Sequence, residues 1–222
     1  MSRIAGTSER ERHAEALRTS CRLTQGFYRT HRPGQVKLTP QEIIPVLNRA
    51  GVKFVLLGTH GIEGWMSEPR ATENVNFLIQ KRYHRKAIRA IQEAFPHLEM
   101  HDQKKVTRFV DRVAKRVVLD LMRPLEPFYQ AVFENTVPAG FTHRVPDVEM
   151  ALVCKFAAMI SPHRTGRKKA RDVGDFMDVV DQHHEVLDLA KLRRLAELVH
   201  PGSGARILEF IEEAKAGRIP RL

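Results

Sequence analysis

Cysteine is scarce: the 222 residues contain two, Cys21 and Cys154, far apart and in unlike contexts. Neither a disulfide framework nor a cysteine-based zinc site can be built from such a pair, and a reducing cytoplasm is the expected compartment. Long apolar runs are missing as well. None approaches the roughly 18 residues that a membrane-spanning helix requires, so no membrane is expected among the partners. The first residues lack an apolar stretch of the secretory type, and no signal peptide is expected. There is no internal repeat and no low-complexity tract. The histidines show no metal-ligand spacing. His183 and His184 are adjacent, so on a helix they diverge by about 100°.

Positive charge is plentiful. Lysine and arginine total 37 against 26 acids, a formal charge of +11. Such an excess favours nucleic acid, nucleotides or another polyanion as a partner, and it equally describes a solvated charged surface. The length suits one domain or two small ones with a real core.

Three regions are expected along the chain. Residues 1–37 read as a flexible basic arm. Ser8-Glu9-Arg10-Glu11 has the form of a capping box, and a short helix over 9–23 follows, with a thin apolar face of Ala14, Leu17 and Cys21. Residues 38–145 read as an α/β core, and 146–222 as a helical region packed on it. The fold class is α+β, a mixed sheet flanked by helices and followed by an all-helical part.

Within the core, Thr39-Pro40-Gln41-Glu42 starts a helix that Gly51 ends. The apolar run at 52–57 predicts a central strand buried on both faces. Gly58-Thr59 breaks it, a short helical run follows through Met66, and Pro69 closes that run. A second strand is expected at 74–80 and a helix with one basic face at 82–95. Strands at 106–110 and 116–122 should pair antiparallel across a turn at Asp111-Arg112. After a loop at 123–144, helices are expected at 147–160, 167–183, 187–199 and 205–216.

The stretch from Phe54 to Gln80 concentrates the chemistry. A strand that ends in Gly58-Thr59 and feeds a helix offers free backbone N–H groups to a phosphate. Thr59 equally suits a helix N-cap. Arg70 can reach a phosphate or remain a solvated turn residue. His60 lies beside the turn.

Strand, Gly-Thr, helix and then Arg70-Ala71-Thr72-Glu73-Asn74-Val75-Asn76 resemble the nucleotidyltransferase superfamily, on the branch of the minimal nucleotidyltransferases and AbiEii-type toxins. The likeness extends over about residues 40–185. It includes Asp120 in the strand Val117–Leu121, and Glu149, Lys155, Arg164, Arg167–Lys169, Asp172 and Asp175 in the helical half. The resemblance implies a cleft in which Gly58, Thr59, Arg70, Asn74, Asn76 and Lys155 bind a nucleotide. It also implies Asp120 as catalytic carboxylate and metal ligand, with Mg²⁺ as cofactor and a nucleoside triphosphate as ligand.

The family carries two aspartates where this chain has Asn74 and Asn76. Residues i and i+2 of a strand share a face, so two aspartates there can hold Mg²⁺ against a triphosphate. An amide oxygen is neutral and its NH₂ cannot ligate a metal. Glu73 points to the opposite side by alternation. Lys155 reaches into the cleft or pairs with Asp172 and Asp175, which share a helix face. Three functions follow as expectations. The first is a catalytically degenerate nucleotidyltransferase-like protein that binds a nucleotide, RNA or a protein partner in the former cleft. The second is an active enzyme that moves a nucleotide onto a protein or RNA acceptor, of the toxin–antitoxin kind. The third is a basic nucleic-acid-binding module using the arm, the 82–89 face and Arg164–Arg171.

Overall fold

Ser8 opens the first helix by a reciprocal cap: its side chain accepts from Glu11 N, and Glu11 Oε2 accepts from Ser8 N at 3.0 Å. The computed structural model describes residues 8–221. These form two compact units. The first holds the described residues up to Gly64, together with Glu68–Arg123 and Val137–Val145. The second holds Trp65–Ser67, Pro124–Thr136 and the chain from Pro146 onward.

In the first unit, helix α1 (Glu9–His31) runs well past the expected end at Leu23. It is built into the unit rather than projecting as an arm, with Leu17 and Cys21 in the main core cluster. Its inward face is largely polar, which is why its apolar stripe reads as thin. Ser20 Oγ meets His60 Nδ1 at 2.8 Å, Thr24 Oγ1 accepts from Thr72 N at 3.1 Å, and Tyr28 Oη donates to Glu73 O at 3.0 Å. A polar side chain with its hydrogen bond made can be buried at little net loss. Helix α2 (Pro40–Arg49) begins as expected: Thr39 N and its hydroxyl both donate to Glu42 Oε2 at 2.8 Å.

Five strands make one sheet: β1 (Phe54–Leu57), β2 (Val75–Ile79), β3 (Leu98–Asp102), β4 (Val106–Asp111) and β5 (Arg116–Met122), in the order β1-β2-β5-β4-β3. The β2–β5 pair is parallel and the other pairs are antiparallel. The strand expected at the centre, β1, lies at the edge and pairs with β2 alone. All four of its residues are buried, so its apolar run reports burial on both faces and not its place in the order. The other edge, β3, was not expected: Leu98-Glu-Met-His-Asp has one buried residue and leaves no hydrophobic signature.

Between β1 and β2 lie helix α3 (Gly58–Ile62) and a 3-10 turn over Glu63–Trp65. Helix α4 (His84–Ala94) follows β2, and a small hairpin, β6 (Thr136–Ala139) and β7 (His143–Pro146), comes after β5. The core on one sheet face gathers Val75, Phe77, Ile79, Leu119 and Leu121 with Ile43, Leu47, Ala87 and Ile91 of α2 and α4.

The second unit is helical: α5 (Pro127–Val132), α6 (Val148–Ile160), α7 (Gly166–His183), α8 (Leu189–Glu197) and α9 (Ser203–Lys215). Phe156, Phe176 and Phe210 meet edge to face in its interior, with centroids 5.5 and 6.5 Å apart. Trp65 is buried there. Its Nε1 donates to Pro146 O at 2.9 Å, and His183 Nε2 donates to Trp65 O at 2.9 Å. Among the described residues no helix is long and apolar enough to cross a membrane.

Candidate functional site

The sheet register sets the site. Leu57 of β1 faces Asn76 of β2, Asn76 faces Asp120 of β5, and Asp120 faces Arg108 of β4. Directly opposed residues in a sheet point to the same face. Asn76, Asp120 and Arg108 therefore form one polar row across three strands. The neighbouring row, Val75–Leu119, faces the core instead.

Asn74 lies one residue before β2 and folds onto the row. Its Nδ2 donates to Asn76 Oδ1 at 3.2 Å and approaches Asp120 Oδ2 at 3.5 Å. Arg108 Nε stands 3.4 Å from Asp120 Oδ1. The Asp120 side chain is 17% exposed, which keeps it in reach of solvent but largely shielded. Arg108 is a residue that sequence reasoning missed. Nothing marks it within the weak strand Val106–Asp111. Only the β4–β5 register, which also contains an irregularity at Phe109/Val110, brings it opposite Asp120.

Gly58 closes the row at the end of β1. Its φ is +68°, and a Cβ there would lie 2.6 Å from Asn76 Nδ2, so this backbone fits against the amide only as glycine. Thr59 is buried within α3 and is not its N-cap, a position held by Leu57. The Thr59 hydroxyl accepts from Arg70 Nη2 at 3.0 Å, which draws Arg70 to the same turn. His60 is buried away from the row, with Nδ1 on Ser20 Oγ and 3.3 Å from Glu63 Oε2.

Six of the seven residues named from the sequence, Gly58, Thr59, Arg70, Asn74, Asn76 and Asp120, thus belong to the first unit and gather around the ends of β1, β2 and β5. Lys155 belongs to the second unit. It is buried on α6, where its Nζ donates to Asp172 Oδ1 at 3.1 Å and Asp175 Oδ2 at 2.5 Å. Asp172 also accepts from Arg164 Nε at 2.7 Å.

The donor set does not fit a magnesium ion. Mg²⁺ requires anionic oxygens in tight octahedral geometry. The row offers one carboxylate, already faced by a guanidinium, and an Asn74 amide that turns its NH₂ toward the two acceptors. No group of three or more His, Cys, Asp or Glu among the described residues is arranged to hold a metal ion. The site instead combines two guanidinium groups, Arg70 and Arg108, with amide donors and one carboxylate. That balance suits an anionic group carrying its own oxygens.

Comparison with protein-family models and with curated proteins finds no match for the chain.

Proposed function

We propose that the protein is a catalytically degenerate member of the nucleotidyltransferase-like proteins, and that its cleft binds the phosphate groups of a nucleotide without a divalent cation. The observation that carries this reading is the Asn76–Asp120–Arg108 row, with Asn74 folded onto it. Where a working enzyme of that kind would place aspartates around magnesium, this chain places amides and a guanidinium. Arg108 and Arg70 supply fixed positive charge, and a planar guanidinium binds phosphate oxygens in pairs. The Asn74 and Asn76 amides add neutral donors that a carboxylate pair would deny to an anion.

Calorimetric titration of the full chain with ATP, GTP, CTP and UTP, in magnesium and in excess EDTA, tests the reading. At least one nucleotide should bind, with an affinity that EDTA leaves unchanged and that Arg108→Ala weakens. The double variant Asn74→Asp/Asn76→Asp should make binding magnesium-dependent. Magnesium-dependent incorporation of labelled nucleotide by the unaltered chain, or binding of no nucleotide at all, would overturn the proposal.

A further inference from the structure

The C-terminal end of α1 and the loop that follows enclose an open cavity of about 390 Å³, within the range of about 300–1,000 Å³ usual for ligand sites. It belongs to the first unit, and the nucleotide reading of the row leaves it unused. Arg29, Arg32 and Lys37 line it with Gln25 and Gln35, and no acidic side chain does.

The cations differ in their commitments. Arg32 Nη2 bonds Glu73 Oε1 at 3.2 Å, and Arg116 Nη2 stands 3.4 Å from Glu73 Oε2, so one carboxylate is shared by two guanidinium groups. Arg116 is further held by Gln35 Oε1 at 2.8 Å and Tyr28 Oη at 2.6 Å. Asp111, the other nearby acid, accepts from the backbone amides of Val36, Val113 and Ala114. Arg29 and Lys37 have no side-chain partner among the described residues. Basic residues at a helix C-terminus commonly serve its last carbonyls. His31 does so here through Phe27 O at 3.3 Å, and Arg29 does not. Further round the same helix end, the Phe27 and His31 rings stack with centroids 4.9 Å apart and planes at 19°, and Arg32, which lines the cavity, also sits 5.4 Å over Phe27. Phe27 is half-buried and His31 exposed.

We propose that this cavity is a contact site for single-stranded nucleic acid: Arg29, Arg32 and Lys37 hold a backbone phosphate, and the Phe27–His31 stack receives the neighbouring base. Cations, two of them without an acidic partner here, joined to a partly exposed aromatic platform are the two components by which proteins hold single strands without reading sequence. The platform favours a strand with bases over a bare phosphate compound.

The test uses the full chain and a fluorescein-labelled single-stranded RNA of about 12 nucleotides, within the usual site sizes. Binding is read by anisotropy over a salt series. Arg29→Glu with Lys37→Gln removes the pocket charge. Arg85→Glu with Lys86→Gln removes the same charge from the exposed face of α4. The pocket variant should bind at least about tenfold more weakly, and its salt slope should fall by about 0.7, the loss of one phosphate contact on a single strand. Phe27→Ala should weaken binding at least about fivefold. The α4 variant should keep the salt slope and most of the affinity. Circular dichroism confirms folding; the pocket pair makes no side-chain bonds to lose, and Arg29→Gln alone serves as the milder variant. Equal weakening by the two charge variants, no RNA binding at low salt, or displacement of the labelled RNA from wild type and pocket variant alike by pyrophosphate would overturn the proposal. Nucleotide titration reads the row and RNA titration reads this cavity, so either proposal can fail alone.

Discussion

Replacing Gly58 by alanine imposes two separable penalties at the end of β1. The first is conformational. Gly58 has φ +68°, and an L-residue held in the left-handed region loses about 1–2 kcal/mol relative to glycine. The second is steric. The new Cβ would lie 2.6 Å from Asn76 Nδ2, but 3.5 Å from Cγ and 3.6 Å from Cβ of the same residue. Only the amide end has to move. Rotating it breaks its 3.2 Å bond with Asn74 Nδ2, a loss of about 0.5–1.5 kcal/mol. The sum predicts a destabilisation of about 1.5–3.5 kcal/mol. A double-mutant cycle in urea separates the two terms. In an Asn76→Ala background the clash is gone, so Gly58→Ala should lose only the conformational part, about 1–2 kcal/mol. A non-zero coupling energy between the two positions is therefore expected. Strictly additive effects, or a Gly58→Ala loss below about 0.5 kcal/mol, the range of an inert surface substitution, would refute this account of the turn.

Two further predictions concern stability. Lys155→Met leaves Asp172 and Asp175 buried without their shared cation and should destabilise the second unit by about 3–5 kcal/mol. Unchanged denaturant stability of the variant would show that Lys155 does not hold α6 to α7. The second prediction is acid sensitivity. Burial, and secondarily the charge of Arg123, hold His84 down to about 4, and burial holds His143 down to about 4. Both are neutral in the fold and titrate near 6.5 once the chain opens. Between pH of about 6.5 and 4 the unfolded chain takes up the extra protons, so this stability is complete above that window and is lost as pH falls through it. Urea midpoints at pH 7 and pH 5 should differ, and His84→Gln should narrow the difference; an unchanged gap would contradict the assignment.

The α+β class, most helices and four of the five sheet strands are legible in the residues, because they rest on periodicity and on helix caps. Val75–Ile79 and Arg116–Met122 are apolar runs of strand length, and the Thr39 cap marks a helix start. What stays hidden depends on partners. The length of α1 is hidden because Ser20, Thr24 and Tyr28 are buried through bonds to residues 40 to 48 positions away, which no local window contains. Arg108 is hidden for the same reason: a cross-strand register brings it to Asp120. The candidate site shows both sides. The spacing of Asn74 and Asn76 marks two of its members, whereas the guanidinium opposite Asp120 emerges only from the sheet.

The parallel pairing of β2 with β5 has a kinetic consequence. Residues Asp111 and Arg116 meet across a short turn, so β4 and β5 can zip locally. Asn74 must find Asp120 across 46 residues, with α4 and two strands between them. Loop closure of that span precedes any reward from its contacts. Because side chains alternate along a strand, a one-residue slip in that late pairing would turn Asn76 into the core and Phe77 outward. The burial of Val75, Phe77, Leu119 and Leu121 forbids the slip. The apolar row on the opposite face thus acts as a proofreader, admitting the polar row only in the alignment that places Asn76 against Asp120.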